Sequence, residues 1–391
     1  MNDLFLTEEH HMLRDMVRDF AANEVAPVAA ELDRDGTFPH EIIKKMGELG
    51  LMGIPIPESY GGSGMDTMAY ATAVYEVAKV CASTAITLAA HTSLGCIPIL
   101  LVGTEDQKKK YLPDLASGKI LGAFGLTEPE AGSDAGATKT TAVLDGDEWV
   151  INGGKIFTTN AGVAGLITIT AQAMIDKKKE GIGAFVIETD SPGLNIGPAE
   201  KKMGWKASDT RQIFFEDLRI PKENLLGEPA DGFKTFLRTL TGGRISVGAL
   251  SVGTAQGAYE AALKYSRERE AFGRPIHRFQ AVGFKLADMA TQIEAAKLLV
   301  AQAARLYDQQ RNAVKEAAMA KLFASEMAMR VTTDAIQVFG GYGYIKDYPA
   351  ERYFRDAKVL TIGEGTSEIQ RLVILREILS SLEETLPGDP G

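Results

Sequence analysis

KTTAVLDGDEWVINGGKIF, residues 139–157, breaks with the helical character of the rest of the chain. Asp145-Gly146 and Asn152-Gly153 are hairpin-type dipeptides, and EWVI between them reads as a strand. GLITITAQA (165–173), GIGAFVIET (181–189) and RQIFFEDLRIP (211–221) continue the pattern as further strands. A small, barrel-like β domain is therefore expected over residues 122–231.

Outward from this stretch, both flanks read as helix. On the N-terminal side (1–121), Met12, Leu13, Met16, Val17 and Phe20 fall on one helical face, with Thr7 as N-cap and Glu8 and Glu9 in the first turn. EIIKKMGELG ends on a glycine stop, ESYGGSGMD is a loop, and a long helical segment follows from about Thr67. The uncharged run Val80–Thr104 is too polar for a membrane span and reads as a buried helix plus a turn. On the C-terminal side (232–391), residues 248–270, 279–310 and 312–340 are long, Ala/Leu-rich and nearly free of breakers, as in a four-helix bundle. LPGDPG, at the end, reads as a frayed tail. The expected fold class is mainly α with a central β domain.

Bulk properties narrow the function. The 391 residues carry a net charge of -10, so neither nucleic acid nor an anionic membrane is an expected partner. Cys81 and Cys96 form no CxxC, and the five histidines make no metal-spaced pair; no disulfide framework and no metal are expected. The N-terminus has no apolar signal core, so a cytoplasmic location is expected; a processed mitochondrial matrix protein would read the same way.

Five segments carry candidate chemistry. GLTEPEAGSDAGA (125–137) offers Thr127 and Ser133 hydroxyls and free backbone N–H groups where the helical and β parts meet. KIFTTNAG (155–162) sets Phe157 beside Thr158 and Thr159, a combination that can stack on and hydrogen-bond a planar cofactor. QVFGGYGYIKDYPAERYFRD (337–356) interrupts a helix with Gly340, Gly341 and Gly343, and SREREAFGRPIHRFQ (266–280) gathers arginines suited to a diphosphate. In TIGEGTSEIQRLVILREIL (361–379), Glu364 stands between two glycines just before a helix, where Ser367 and Gln370 have capping-box spacing. Taken singly, each segment also fits an ordinary loop, strand or helix end. GxGxxG after a strand, the P-loop and GxSxG are all missing, which argues against a Rossmann enzyme, an NTPase and an α/β-hydrolase.

Together these segments resemble the acyl-CoA dehydrogenases, FAD-dependent flavoproteins, over about residues 5–380. GLTEPEAGSD and QVFGGYGYIKDYPAERYFRD are similar to the family's two signature stretches, and IGEGTSEIQR to its catalytic loop. The resemblance implies an N-terminal α domain, a middle β domain and a C-terminal four-helix bundle, assembled as a homotetramer built from dimers. It implies that Phe124, Leu126, Thr127 and Ser133 line the flavin, Ser133 also lying near CoA, and that Phe157, Thr158 and Thr159 flank the isoalloxazine. Arg269, Phe272, Gln280, Gln337, Gly340 and Gly341 would hold the FAD phosphates and adenine, partly across a subunit interface. Thr366 and Glu368 would also meet FAD, Thr241 and Arg244 would contact CoA, and Gly365 the substrate.

Glu364 would then be the base that takes the α-proton of an acyl-CoA while the β-hydride passes to flavin. Some members carry the base immediately before the arginine matching Arg244; here that position is Gly243. Gly363 stands where many relatives have Tyr, and Phe157 where many have Trp. The missing bulk at 363 suggests a short, branched or alicyclic acyl group. Electrons would go to an electron-transfer flavoprotein. An oxidase or an enoyl-CoA reductase on the same fold remains an alternative, as does a non-catalytic acyl-CoA-binding protein.

Overall fold

The computed structural model describes residues 5–385, so the LPGDPG tail lies outside the described residues. Helices come first: α1 Glu8–Phe20, α2 Ala29–Asp35, α3 His40–Glu48, α4 Thr67–Ala78, α5 Ala82–Ala90, α6 Ile97–Val102 and α7 Glu105–Ala116. Thr7 caps α1 as its sequence indicates: its hydroxyl accepts from the His10 N–H while His10 Nδ1 accepts from the Thr7 N–H. Leu13, Val17 and Phe20 are buried, but Met12 is exposed, one helical step of about 100° from Leu13 and off the edge of the stripe.

The apolar run after Val80 contains no turn. It continues from α5 through a π-helical stretch, His91–Cys96, into α6. By length and composition Ala82–Val102 could cross a membrane, but 72% of its most apolar window is buried inside the protein. His91 anchors this stretch: its Nε2 lies 3.0 Å from the Leu115 carbonyl and its Nδ1 accepts from the Gly122 N–H at 2.9 Å. Burial lowers its pKa to about 4, so the ring stays neutral and ties this helical layer to the first strand.

The strands are β1 Leu121–Gly125, β2 Thr141–Asp145, β3 Glu148–Thr159, β4 Ala164–Ile175, β5 Lys178–Glu188, β6 Leu194–Ala199, β7 Thr210–Pro221 and β8 Leu225–Leu226. They form one sheet in the order β6-β7-β3-β2-β4-β5-β8, with β1 parallel to β4. Among the described residues the path is not closed into a barrel: β8, two residues long, pairs with β5, and β6 pairs with β7. Trp149, Ile151, Ile169, Phe185 and Ile213 fill its core.

Asp145-Gly146 does make the β2–β3 hairpin, with Gly146 at φ 64. Asn152-Gly153 does not turn the chain. Gly153, at φ 136, sits in a bulge within β3, and a Cβ there would lie 2.7 Å from Thr140 Oγ1. The strand partner β7 runs past this point on both sides, so pairing overrides the local turn preference.

The remaining elements are α8 Gly232–Glu268, the small hairpin β9 Glu270–Ala271 and β10 Arg274–Pro275, then α9 Gln280–Asp308, α10 Val314–Phe339, α11 Ala350–Lys358 and α12 Ser367–Thr385. α8, α9, α10 and α12 pack as the expected bundle. α8 also touches the N-terminal layer at close range: a Cβ at Gly253 would lie 2.4 Å from the Tyr75 carbonyl oxygen, and one at Gly257 2.1 Å from that of Lys79. The N- and C-terminal helices consequently share one apolar core, running from Leu13 and Val17 through Val74 and Leu250 to Val300 and Met327.

Candidate active site

Glu364 lies in the loop between α11 and α12, with φ 52, followed by Gly365 with φ 91. Two consecutive left-handed residues turn the Glu364 side chain inward onto α8. A Cβ at Gly243 would lie 2.2 Å from Glu364 Oε2, so the absence of a side chain at 243 leaves room for the carboxylate. Both carboxylate oxygens are buried and, among the described residues, lack a hydrogen-bond partner. Burial pushes the group up to about 7, against the pull of Lys321 and Arg244. A carboxylate so placed has free lone pairs and a pKa suited to accepting a proton near neutral pH.

The loop is held from two sides. Gln370, fully buried on α12, donates from Nε2 to the carbonyl oxygens of Glu364 and Gly365, each at 3.0 Å. Lys321, fully buried on α10, donates from Nζ to the Gly365 oxygen at 2.7 Å. The expected Ser367–Gln370 capping box is therefore not formed. Thr366 is the cap instead, its hydroxyl accepting from the Ile369 N–H at 3.3 Å, because Gln370 is drawn back to the loop carbonyls. Arg244, on α8, is buried with Nε unpartnered, and Thr241, one turn earlier, is buried too. Glu368 points outward.

The first two segments meet at the sheet. The Ile156 N–H donates to the Thr127 carbonyl at 2.8 Å, placing Thr127 beside the end of β3. Lys155 is fully buried; its Nζ reaches Glu128 Oε1 at 2.6 Å and the Leu126 carbonyl at 3.3 Å. Glu128 also accepts from the Thr138 hydroxyl and from the Lys139 and Thr140 N–H groups. Burial alone would raise its pKa, but these donors hold it below the usual carboxylate range. The cluster fixes the Leu126–Thr127 loop against β3. Phe157, next in the chain, adopts φ 56 with its ring 63% exposed. Thr158 Oγ1 is buried without a partner. Phe124 stacks on Phe236 of α8, centroids 3.9 Å apart, and Ser133 is exposed in the loop after β1.

Arg269, Gly340 and Gly341 form a second group. They line a surface groove of about 460 Å³ with Tyr265 and Tyr342, the Arg269 guanidinium lying 5.6 Å from the Tyr342 ring centre. Cβ atoms at Gly340 and Gly341 would meet nothing within 4 Å. Phe272 tops the β9–β10 turn at φ 50 and is 96% exposed; Gln280 and Gln337 are exposed as well. Among the described residues no hydrogen bond or ring contact joins this group to the Glu364 loop.

Lys321, Lys155 and Glu128 were not singled out from sequence, and Gln370 only as a partner in a helix cap. A signal existed for two of them: Lys321 occupies the same helical stripe as Ala317, Ala324 and Ala328, and Lys155 an inward-facing position on β3. Nothing local marked Glu128 or the inward turn of Gln370.

The family described as acyl-CoA dehydrogenase matches in three parts: the N-terminal domain over residues 7–119, the middle domain over 123–218 and the C-terminal domain over 230–379. A Clostridium acetobutylicum protein named "Acyl-CoA dehydrogenase, short-chain specific" is 50% identical, over 96% of this chain and 99% of its own. The solved butyryl-CoA dehydrogenase of Megasphaera elsdenii superposes with a TM-score of 0.93 at 44% identity, covering 96% of this chain and 99% of that one. A chain solved under the description "Electron transferring flavoprotein of Acidaminococcus fermentans" superposes with a TM-score of 0.93 at 51% identity, covering 96% and 98%. The chain thus belongs to the acyl-CoA dehydrogenase family, oxidoreductases that work with FAD.

Proposed function

We propose that this chain dehydrogenates a short acyl-CoA thioester between its α- and β-carbons, with Glu364 as the base that removes the α-proton. The observation that carries this reading is the Glu364 carboxylate itself: buried, without a hydrogen-bond partner, seated against Gly243, and pushed up to about 7.

The residues present suit FAD. The orphaned Thr158 hydroxyl, the exposed Phe157 ring on left-handed backbone, and the open space over Gly340 and Gly341 beside Arg269 fit a ligand with a planar ring system and phosphates. Phe124, Leu126, Thr127, Ser133, Phe157, Thr158 and Thr159 would hold its ring system. Arg269, Phe272, Gln280, Gln337, Gly340, Gly341, Thr366 and Glu368 would hold the remainder, partly from a neighbouring subunit. FAD, when bound, accepts the hydride leaving the β-carbon.

The chain's own contribution is acid–base and electrostatic. Glu364 takes the α-proton; the electrons of that C–H bond become the second bond between the two carbons as the β-hydride leaves. An α-C–H next to a thioester is a weak acid, so the thioester oxygen needs a donor as charge develops on it, and the backbone N–H of Glu364 serves. Thr241 and Arg244 would bind CoA, and Gly365 the substrate near the reacting carbons. Gly363 has only the Val359 carbonyl oxygen near a would-be Cβ, at 3.6 Å, which supports room for a short, branched or alicyclic acyl group. The relative named short-chain specific and the butyryl-CoA enzyme favour the short end of that range.

The likeness to the Acidaminococcus fermentans chain supports an electron-transfer flavoprotein as acceptor. Exposed Leu372, Leu375 and Leu379 on α12 and Phe284 on α9 support a homotetramer.

The test is Glu364→Gln. The variant should retain FAD and bind butyryl-CoA, yet fail to bleach the flavin absorbance when the thioester is added without oxygen. Bleaching at the wild-type rate would place the base elsewhere. A panel of acyl-CoA thioesters read the same way tests the substrate range; response to long straight chains alone would refute it.

A further inference from the structure

Lys321 is a fully buried ammonium on an Ala-rich helix, and among the described residues its one hydrogen bond goes to the carbonyl of the residue after Glu364. Burying an ion in this way is costly unless it is matched by opposite charge or several acceptors. One carbonyl is poor compensation for three N–H donors. The remaining match is the Glu364 carboxylate, which has no hydrogen bond of its own. The groups facing that carboxylate are Lys321 from α10, Arg244 from α8 and the Tyr70 phenol from α4. Tyr70 donates to the Ala89 carbonyl at 2.8 Å and burial keeps its proton on. Arg244 is cationic throughout the working range. Lys321 in turn faces Glu364, Arg244, Glu368 and Glu326.

We propose that Lys321 is the positioning residue of the base: with Gln370 it clamps the loop carbonyls that set the left-handed turn at Glu364 and Gly365, and its charge faces the carboxylate it has positioned. One ammonium plays both parts, against two different targets. The hydrogen bond to Gly365 orients the loop, whereas the charge acts through space on the carboxylate. The lowered pKa of Lys321, about 8, agrees with a cation under the strain of burial beside Arg244.

This inference rests on Glu364 being the base, and the experiment separates the two ideas. FAD-loaded wild type, Lys321→Met, Lys321→Gln and Glu364→Gln are assayed with butyryl-CoA and an artificial acceptor across pH 5 to 9. Losing a nearby cation moves a carboxylate upward by about one pH unit or more, so the acid limb of kcat should move up by that amount in both lysine variants. Their rates should fall roughly tenfold near pH 6 and recover toward pH 9, with KM changing less. Lys321→Gln keeps an N–H for the Gly365 carbonyl, so at high pH it should turn over faster than Lys321→Met. The infrared carboxylate band that Glu364→Gln removes should titrate at higher pH in both variants. An equal loss of rate at every pH, with limb and band unmoved, overturns the proposal, and so does failure of both lysine variants to fold with FAD. Normal turnover by Glu364→Gln would instead bring down the base assignment itself.

Discussion

Replacing Glu364 with Gln changes stability as well as catalysis, and the change depends on pH in one direction. Burial moves this carboxyl from its ordinary 4.5 up to about 7, with Lys321 and Arg244 opposing. Between those two values the folded chain holds a proton that the unfolded chain has released. Wild-type stability therefore falls as pH rises from 4.5 to about 7 and does not fall further through this group above that. At 1.36 kcal/mol per pH unit the total is about 3 kcal/mol. The Gln amide resembles the protonated acid in shape and has no such dependence. With an unfolding entropy of about 2.1 cal/mol/K for each of 391 residues, 3 kcal/mol corresponds to roughly 4 °C in Tm. Melting of both proteins at saturating FAD and fixed ionic strength is the assay, and other titrating groups largely cancel in the difference. The two should melt nearly together at pH 5, and Glu364→Gln should melt higher at pH 8. A Tm difference that is the same at both pH values would refute a buried, proton-retaining carboxylate.

Other substitutions probe the rest of the site. Gly243→Ala should leave Tm almost unchanged but lower kcat by about tenfold or more, because the new Cβ, 2.2 Å from Glu364 Oε2, displaces the flexible end of the Glu364 side chain rather than any backbone; steady-state kinetics at wild-type level would contradict this. Lys155→Met strands the buried Glu128 carboxylate, which should cost about 3–5 kcal/mol, read as a Tm loss of roughly 4–6 °C, and should loosen FAD retention through the Leu126–Thr127 loop. Phe272→Asn relieves a side chain held at φ 50 on a turn, so the isolated subunit should be no less stable while FAD affinity, measured by fluorescence titration, falls. Gly363→Tyr fills the open space beside Glu364 and should lower kcat/KM for branched acyl-CoA more than for butyryl-CoA.

The sequence by itself determined the layered plan of helices, sheet and helices. Period-2 runs with Asp145-Gly146, Thr7 before an apolar stripe, and long breaker-free Ala/Leu segments are local signals, and each specifies torsions over a few residues without help from the rest of the chain. It also marked the loops of the candidate site, because glycine, threonine and an isolated acid are conspicuous against that background. Tertiary structure decided the rest. Gly153 became a bulge because β7 pairs along all of β3. Strands distant in sequence became neighbours, β3 with β7 and β2 with β4, which no local run specifies. Gln370 left the capping box for the loop carbonyls, and Lys321, Gly243 and Glu364 met from three different elements. Which charged groups are buried together depends on how distant elements pack, and desolvation in that packed interior, absent from any local window of sequence, is what gives the Glu364 carboxylate its proton affinity.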